Sequence, residues 1–130
     1  MHQTIHPEGW KPAKGYANAI IASGQTLFLA GQIGWNADQI FETDDFVGQV
    51  EQTLQNIRTI LDQSGAQSED LVRLTWFVTD KQAYLQNQTA IGAAYRAVIG
   101  RHFPAMSVVE VSSLLEDRAK VEIEATAVMP

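Results

Sequence analysis

Apolar side chains recur at Phe46, Val50, Leu54, Ile57 and Leu61, at spacings of four, four, three and four residues. That stripe predicts an amphipathic helix. Asp44 or Asp45 lies where an N-terminal cap belongs, and Gly65 where a left-handed C-terminal cap belongs. A second helical stripe joins Tyr84, Gln88, Ile91, Tyr95 and Val98. Gly100 closes it ahead of Pro104, which cannot continue a helix. Between the stripes the period falls to two. Val72, Leu74, Trp76 and Val78 alternate with Arg73, Thr75, Phe77 and Thr79, which predicts a strand ending at Asp80.

The flanks read as strands too. Tyr16 to Ala22 is short, apolar and β-compatible, with Ser23-Gly24 as the turn after it. Thr26 to Gln32 is a nearly continuous apolar run, which predicts a strand covered on both faces. Gly31 and Gly34 there mark a bulge or a close approach of backbone. Met106 to Val111 and Ala119 to Val128 complete the chain as strands joined by the polar turn Glu116-Asp117-Arg118. The order β-β-α-β-α-β-β predicts an α+β sandwich with two helices packed on one face of a sheet. In the last strand Val121, Ile123, Ala125 and Ala127 face the helices, and Lys120, Glu122, Glu124 and Thr126 face away. The apolar early strands and Trp76-Phe77 imply that this second face is partly covered, as in an oligomer.

Composition narrows the function more than the fold. The 130 residues, 45% hydrophobic and 18% charged, suit one domain spanning 1–130. Without cysteine there is no disulfide, thiolate metal site or cysteine nucleophile. The formal charge of -6, with scattered basic residues, opposes binding of nucleic acid or anionic lipid. The start of the chain has no secretory pattern, and no apolar run is long enough to span a membrane. A cytoplasmic protein is expected. Phosphate-cradling, dinucleotide-binding and hydrolase-elbow motifs are absent. His2, His6 and His102 form no pair at metal-ligand spacing, so neither a metal nor a cofactor is expected. Asn87-Gln88-Thr89 matches a glycosylation acceptor by coincidence, given no export signal. Trp10, Trp35 and Trp76 read as core or interface aromatics.

Six short stretches stand in register over about residues 10 to 128. They are Gly15-Tyr16-Ala17, Phe28-Leu29-Ala30-Gly31-Gln32-Ile33-Gly34, Gln49 with Leu54 and Asn56-Ile57, Phe77-Val78-Thr79-Asp80, Phe103-Pro104-Ala105, and Val121-Glu122-Ile123-Glu124-Ala125. Together they resemble the RidA (YjgF-like) family of reactive-intermediate deaminases. The resemblance implies a chorismate-mutase-like α+β fold with a mixed sheet, a homotrimer, and small-molecule clefts between subunits. It also implies hydrolysis of 2-enamine and 2-imine acids to 2-keto acids and ammonia.

Carried over position by position, the resemblance makes Glu122 the residue that handles water or a proton, and Tyr16 a second catalytic position. Ala30, Gly31, Gln88, Met106 and Val108 become ligand-binding positions. The family's asparagine on the second helix falls at Gln88 or Thr89. Two departures matter. The deaminating branch carries an arginine after its Pro-Ala pair, whose guanidinium forks onto a carboxylate. Met106 stands there, and a thioether offers neither charge nor donor; it is expected to line an apolar pocket. Ala30 replaces a serine and removes a hydroxyl. Arg101 and His102 are nearby cations that could substitute, or could simply complement a helix C-terminus. Glu122 and Glu124, read without the resemblance, are also an ordinary solvated sheet face.

Two functions follow. One is an enzyme hydrolysing reactive enamines or imines other than the usual 2-imino acids. The other is a non-catalytic, metabolite-binding or regulatory trimer. Translation inhibition or RNA cleavage, an older idea for the family, is opposed by the acidic balance.

Overall fold

The computed structural model describes residues 2–130. Its elements run β1 (Gln3–Ile5), β2 (Ala19–Ile21), β3 (Gln25–Ile33), α1 (Phe46–Ser64), β4 (Leu71–Val78), α2 (Lys81–Gln86), α3 (Gln88–Val98), β5 (Ala105–Glu110) and β6 (Val121–Met129), with one 3₁₀ turn at Ser68–Asp70. Four strands form the main sheet in the order β3-β6-β4-β5. β6 is antiparallel to both neighbours, while β4 and β5 are parallel and joined through α2 and α3. All three helices pack on one face of this mixed sheet, an α+β architecture.

The alternation in β6 builds the core. Val121, Ile123, Ala125 and Ala127 are buried against Val50, Leu54, Ile57 and Leu61 of α1, and each of those four α1 side chains is fully enclosed. Asp45 caps α1 by accepting from the Gly48 N–H at 2.9 Å, and Gly65 ends it at φ 75°. Among the caps expected at Asp44 or Asp45, Asp45 is used because Asp44 pairs with Arg118 at 3.0 Å.

Three expectations are corrected. The apolar stretch Tyr16 to Ala22 yields a strand only over Ala19–Ile21, which pairs with β1 in a separate two-stranded ribbon. Gly15 at φ 76° turns the chain there, and Ala17 makes a single parallel bridge to Ala105. The second helix is two helices, making three in all. Asn87 breaks it at φ -118° and ψ 24°, and its side-chain amide donates to the Ala83 carbonyl at 2.7 Å. In β4 a register shift between Leu71 and Arg73 buries Leu71 fully in place of Val72. Within one chain β3 is covered on its helix face, and Phe28 is 79% exposed on the other.

Two side-chain amides tie the loops that lead into the site. Gln49, wholly buried on α1, donates to the carbonyls of Thr43 (3.1 Å) and Arg118 (2.9 Å), and its oxygen accepts from the Lys120 N–H at 2.8 Å. That fixes the start of β6, two residues before Glu122. Asn56 donates to the carbonyls of Ile33 and Trp35 at 3.0 and 2.8 Å, holding the end of β3. Gln49→Leu removes the partner of these three part-buried backbone groups. Its expected cost is about 3 kcal/mol, read as a lower urea midpoint at an unchanged m-value.

Candidate functional site

The family-implied residues do not converge within one chain. They form two half-sites at opposite edges of the sheet. At the β3 side, Glu122 projects from the face away from the helices, opposite Phe77 of β4. Its carboxylate lies over Gly31, where the bulge between Leu29 and Gln32 brings β3 close. A Cβ at Gly31 would sit only 2.7 Å from the Glu122 Cδ, so any side chain there would displace the carboxylate. Ala30, next along, lines an open cleft over the same face with Phe28, Arg73, Thr75 and Glu124. Glu124 is exposed, as a solvated-face residue would be.

Met106 stands on β5 in register with Leu74 of β4, and Val108 with Trp76. Both therefore face the helix layer, the opposite side of the sheet from Glu122, and β4 separates their strand from β6. Adjacent strands lie about 4.8 Å apart, so no small ligand touches Met106 and Glu122 of one chain together. Met106 lines a cavity of about 110 Å³ walled by Trp76, Tyr84, Ile91, Tyr95 and Phe103, with Gln88, Lys14 and Gly15 at its rim. The apolar pocket expected at Met106 is present, with aromatic walls. Val108 packs against the core but does not line the cavity. Tyr16 lines an adjoining open cleft with Arg101, His102 and Asn18, and Phe103 borders both spaces.

Hydrogen bonds make the cavity walls rigid. The Tyr95 hydroxyl donates to the His102 carbonyl at 2.6 Å, and its ring stacks on Phe103 with centroids 5.2 Å apart. The His102 Nε2 lies 2.7 Å from the Leu71 carbonyl and donates to it, so this imidazole serves as a strut to β4. Trp76 meets Tyr84 edge-on at 6.0 Å, and its buried indole N–H has no hydrogen-bond partner. Burial pushes the Tyr84 phenol above its ordinary pKa, with an opposing effect from the Gln88 amide. Burial raises that of Tyr95 much further.

Sequence reasoning missed Lys14 and Tyr84 as site residues. Tyr84 sits on a helical stripe that reads equally well as core. Lys14 carries no signal beyond its place one residue before Gly15-Tyr16. Among the described residues no cluster of side chains suits a metal ion, and no helix is long and apolar enough to cross a membrane.

A sheet of this order, with a glutamate laid over a glycine bulge at one edge and an aromatic cavity at the other, defines a small α+β protein with an edge-built site. Comparison with known proteins gives the family. Residues 7–129 match the model of the endoribonuclease L-PSP family, and the chain belongs to it, the RidA/YjgF family. It is 34% identical over 131 residues to the 2-iminobutanoate/2-iminopropanoate deaminase of Escherichia coli, covering 98% of each chain. It is 34% identical over 132 residues to a RutC family protein of Pasteurella multocida, again covering 98% of each. Among solved structures it matches YyfB of Yersinia pestis, described as a Rid-family protein of unknown function, with a TM-score of 0.88, 34% identity and 98% coverage of each chain.

The buried phenol gives a prediction. A phenol whose folded pKa is raised contributes full stability below its unfolded pKa near 10.0 and loses it as pH rises beyond that value. Stability of the wild-type chain is therefore expected to fall from about pH 10 upward. Tyr95→Phe should flatten that alkaline slope in urea titrations while costing about 1 kcal/mol at neutral pH for the lost hydrogen bond.

Proposed function

We propose that this protein hydrolyses small reactive imines and enamines to the carbonyl compound and ammonia, at sites completed between copies in a homotrimer. The observation that carries the reading is the Glu122 carboxylate held over Gly31. The half-sites support it, because the β3 side of one copy set against the β5 edge of the next would bring Glu122 to the Met106 cavity. Such head-to-tail contacts form a three-membered ring when each copy is rotated by a third of a turn from the last. Phe28, at 79% exposure, and Val109, at 42%, are the apolar side chains this packing would cover.

In the proposed reaction the Glu122 carboxylate accepts a hydrogen bond from water and orients its oxygen toward the imine carbon. The new C–O bond forms as the C=N π pair moves to nitrogen; Glu122 takes the proton that the water loses and passes it to that nitrogen, giving the carbinolamine. The carbinolamine hydroxyl then gives its proton through Glu122 to the amine, the C–N bond breaks, and ammonia leaves as the carbonyl forms. The relative from Escherichia coli named for deamination of 2-iminobutanoate and 2-iminopropanoate supports this reaction class.

A second reading rests on Met106 and Ala30, which supply neither guanidinium nor hydroxyl: a metabolite-binding trimer without turnover. An amino-acid oxidase generating 2-imino acids in place, with semicarbazide trapping what escapes, separates the two. The proposal expects wild type to suppress the trapped adduct and Glu122→Gln to lose that effect. Equal adduct with wild type, Glu122→Gln and no protein, for these 2-imino acids and for freshly generated neutral imines alike, selects the binding reading. Met106→Arg, which restores a bidentate fork, is expected to raise kcat/KM for 2-imino acids at least about tenfold. A monomer in sedimentation at assay concentration would contradict the shared site.

A further inference from the structure

We infer that Lys14 is the carboxylate-binding residue of the Met106 cavity, so that the ligands of this protein are small 2-imino and 2-oxo acids held by a single ammonium. The inference rests on the proposed function and names the substrate class of that same site.

Among the described residues, Lys14 is the only charged residue lining the cavity, whose other lining residues are aromatic, apolar or neutral polar. It takes part in neither of the two ion pairs among the described residues, Arg58–Asp62 and Arg118–Asp44. Its charge is therefore free to meet a ligand. The backbone around it is also held in place. Three residues on, the Ala17 N–H donates to the Pro104 carbonyl at 3.0 Å, and Ala17 bridges Ala105, the neighbour of Met106. The segment carrying Lys14 is thus fastened to the strand end that carries Met106.

The turn at Gly15 decides which cation serves which space. Its φ of 76° is one that a side-chain-bearing residue rarely takes, and it sends Lys14 to the Met106 cavity while Tyr16 lines the adjoining cleft. Arg101 lies in that second cleft, and His102 is committed to the Leu71 carbonyl. Neither replaces the charge missing at Met106. A cavity of about 110 Å³ favours a small ligand. An ammonium on a flexible stem binds a carboxylate as a point charge, without the planar fork of a guanidinium. Binding should accordingly be weaker and more sensitive to salt than an arginine would give.

Calorimetric titration with pyruvate and with pyruvamide, its neutral counterpart of nearly the same shape, tests this. Wild type is expected to bind pyruvate more tightly, with the preference shrinking as salt is added. Lys14→Met should weaken pyruvate binding about tenfold or more and leave pyruvamide unchanged. Lys14→Arg should restore the preference. If wild type binds pyruvate and Lys14→Met binds it equally well, the role of Lys14 is overturned while the cavity remains a ligand site. A wild-type preference for pyruvamide also overturns it. If wild type binds neither compound, the proposed site itself fails and Lys14 with it.

Discussion

The central strand β6 pairs on both sides, and strand geometry forces its successive side chains to opposite faces. Its odd-numbered residues from Val121 to Ala127 are consumed by the helix layer, so Glu122 can only look out from the other face. Nothing on α1, α2 or α3 reaches it. Gln49 enforces this phase by gripping the strand start at Lys120. A one-residue slip there would place Glu122 among Leu54, Ile57 and Leu61, at the cost of burying a carboxylate in apolar surroundings. Core packing and the position of the candidate carboxylate are thus one constraint, and it separates Glu122 from Met106 within a single chain.

Much of this was legible in the sequence, where local periodicity and side-chain chemistry agreed. The α1 stripe, the inward and outward phases of β6 and the cap at Gly65 are local features, and local rules suffice for them. The misses involve partners far away in the chain. β1 exists because Gln3–Ile5 finds Ala19–Ile21, and neither segment signals the other. The break at Asn87 depends on its amide choosing the Ala83 carbonyl over continued helix. The shift that buries Leu71 is set by pairing with β6, which no alternation within β4 reveals. The candidate site shows the same division. Motif resemblance picked out Glu122, Gly31 and Met106, but that Lys14 shares a cavity with Met106 depends on the turn at Gly15 and the clamp at Ala17.

The substitution at Met106 changes the chemistry of the β5 edge without emptying it. The cavity keeps aromatic walls stiffened by the Tyr95 and His102 hydrogen bonds, and one cation remains at its rim. On a chain of net charge -6, Lys14 and Arg101 mark this edge as locally attractive to anions. The proposed trimer would bring that edge to the Glu122 of the next copy. The proposed reaction needs both halves: a carboxylate to direct water, and an aromatic-walled space to hold the imine.

The proposed sharing of one site between two chains is tested most directly by complementation. Glu122→Gln and Met106→Glu proteins, the second with a like charge set in the ligand cavity, would be unfolded together, refolded as a mixture, and assayed for suppression of the trapped imine adduct against each protein refolded alone. The account predicts inactive single variants and recovered activity in the mixture, because some interfaces then pair an intact Glu122 side with an intact Met106 cavity. A mixture no more active than the average of its two components, with mixed oligomers verified by mass spectrometry, would contradict it.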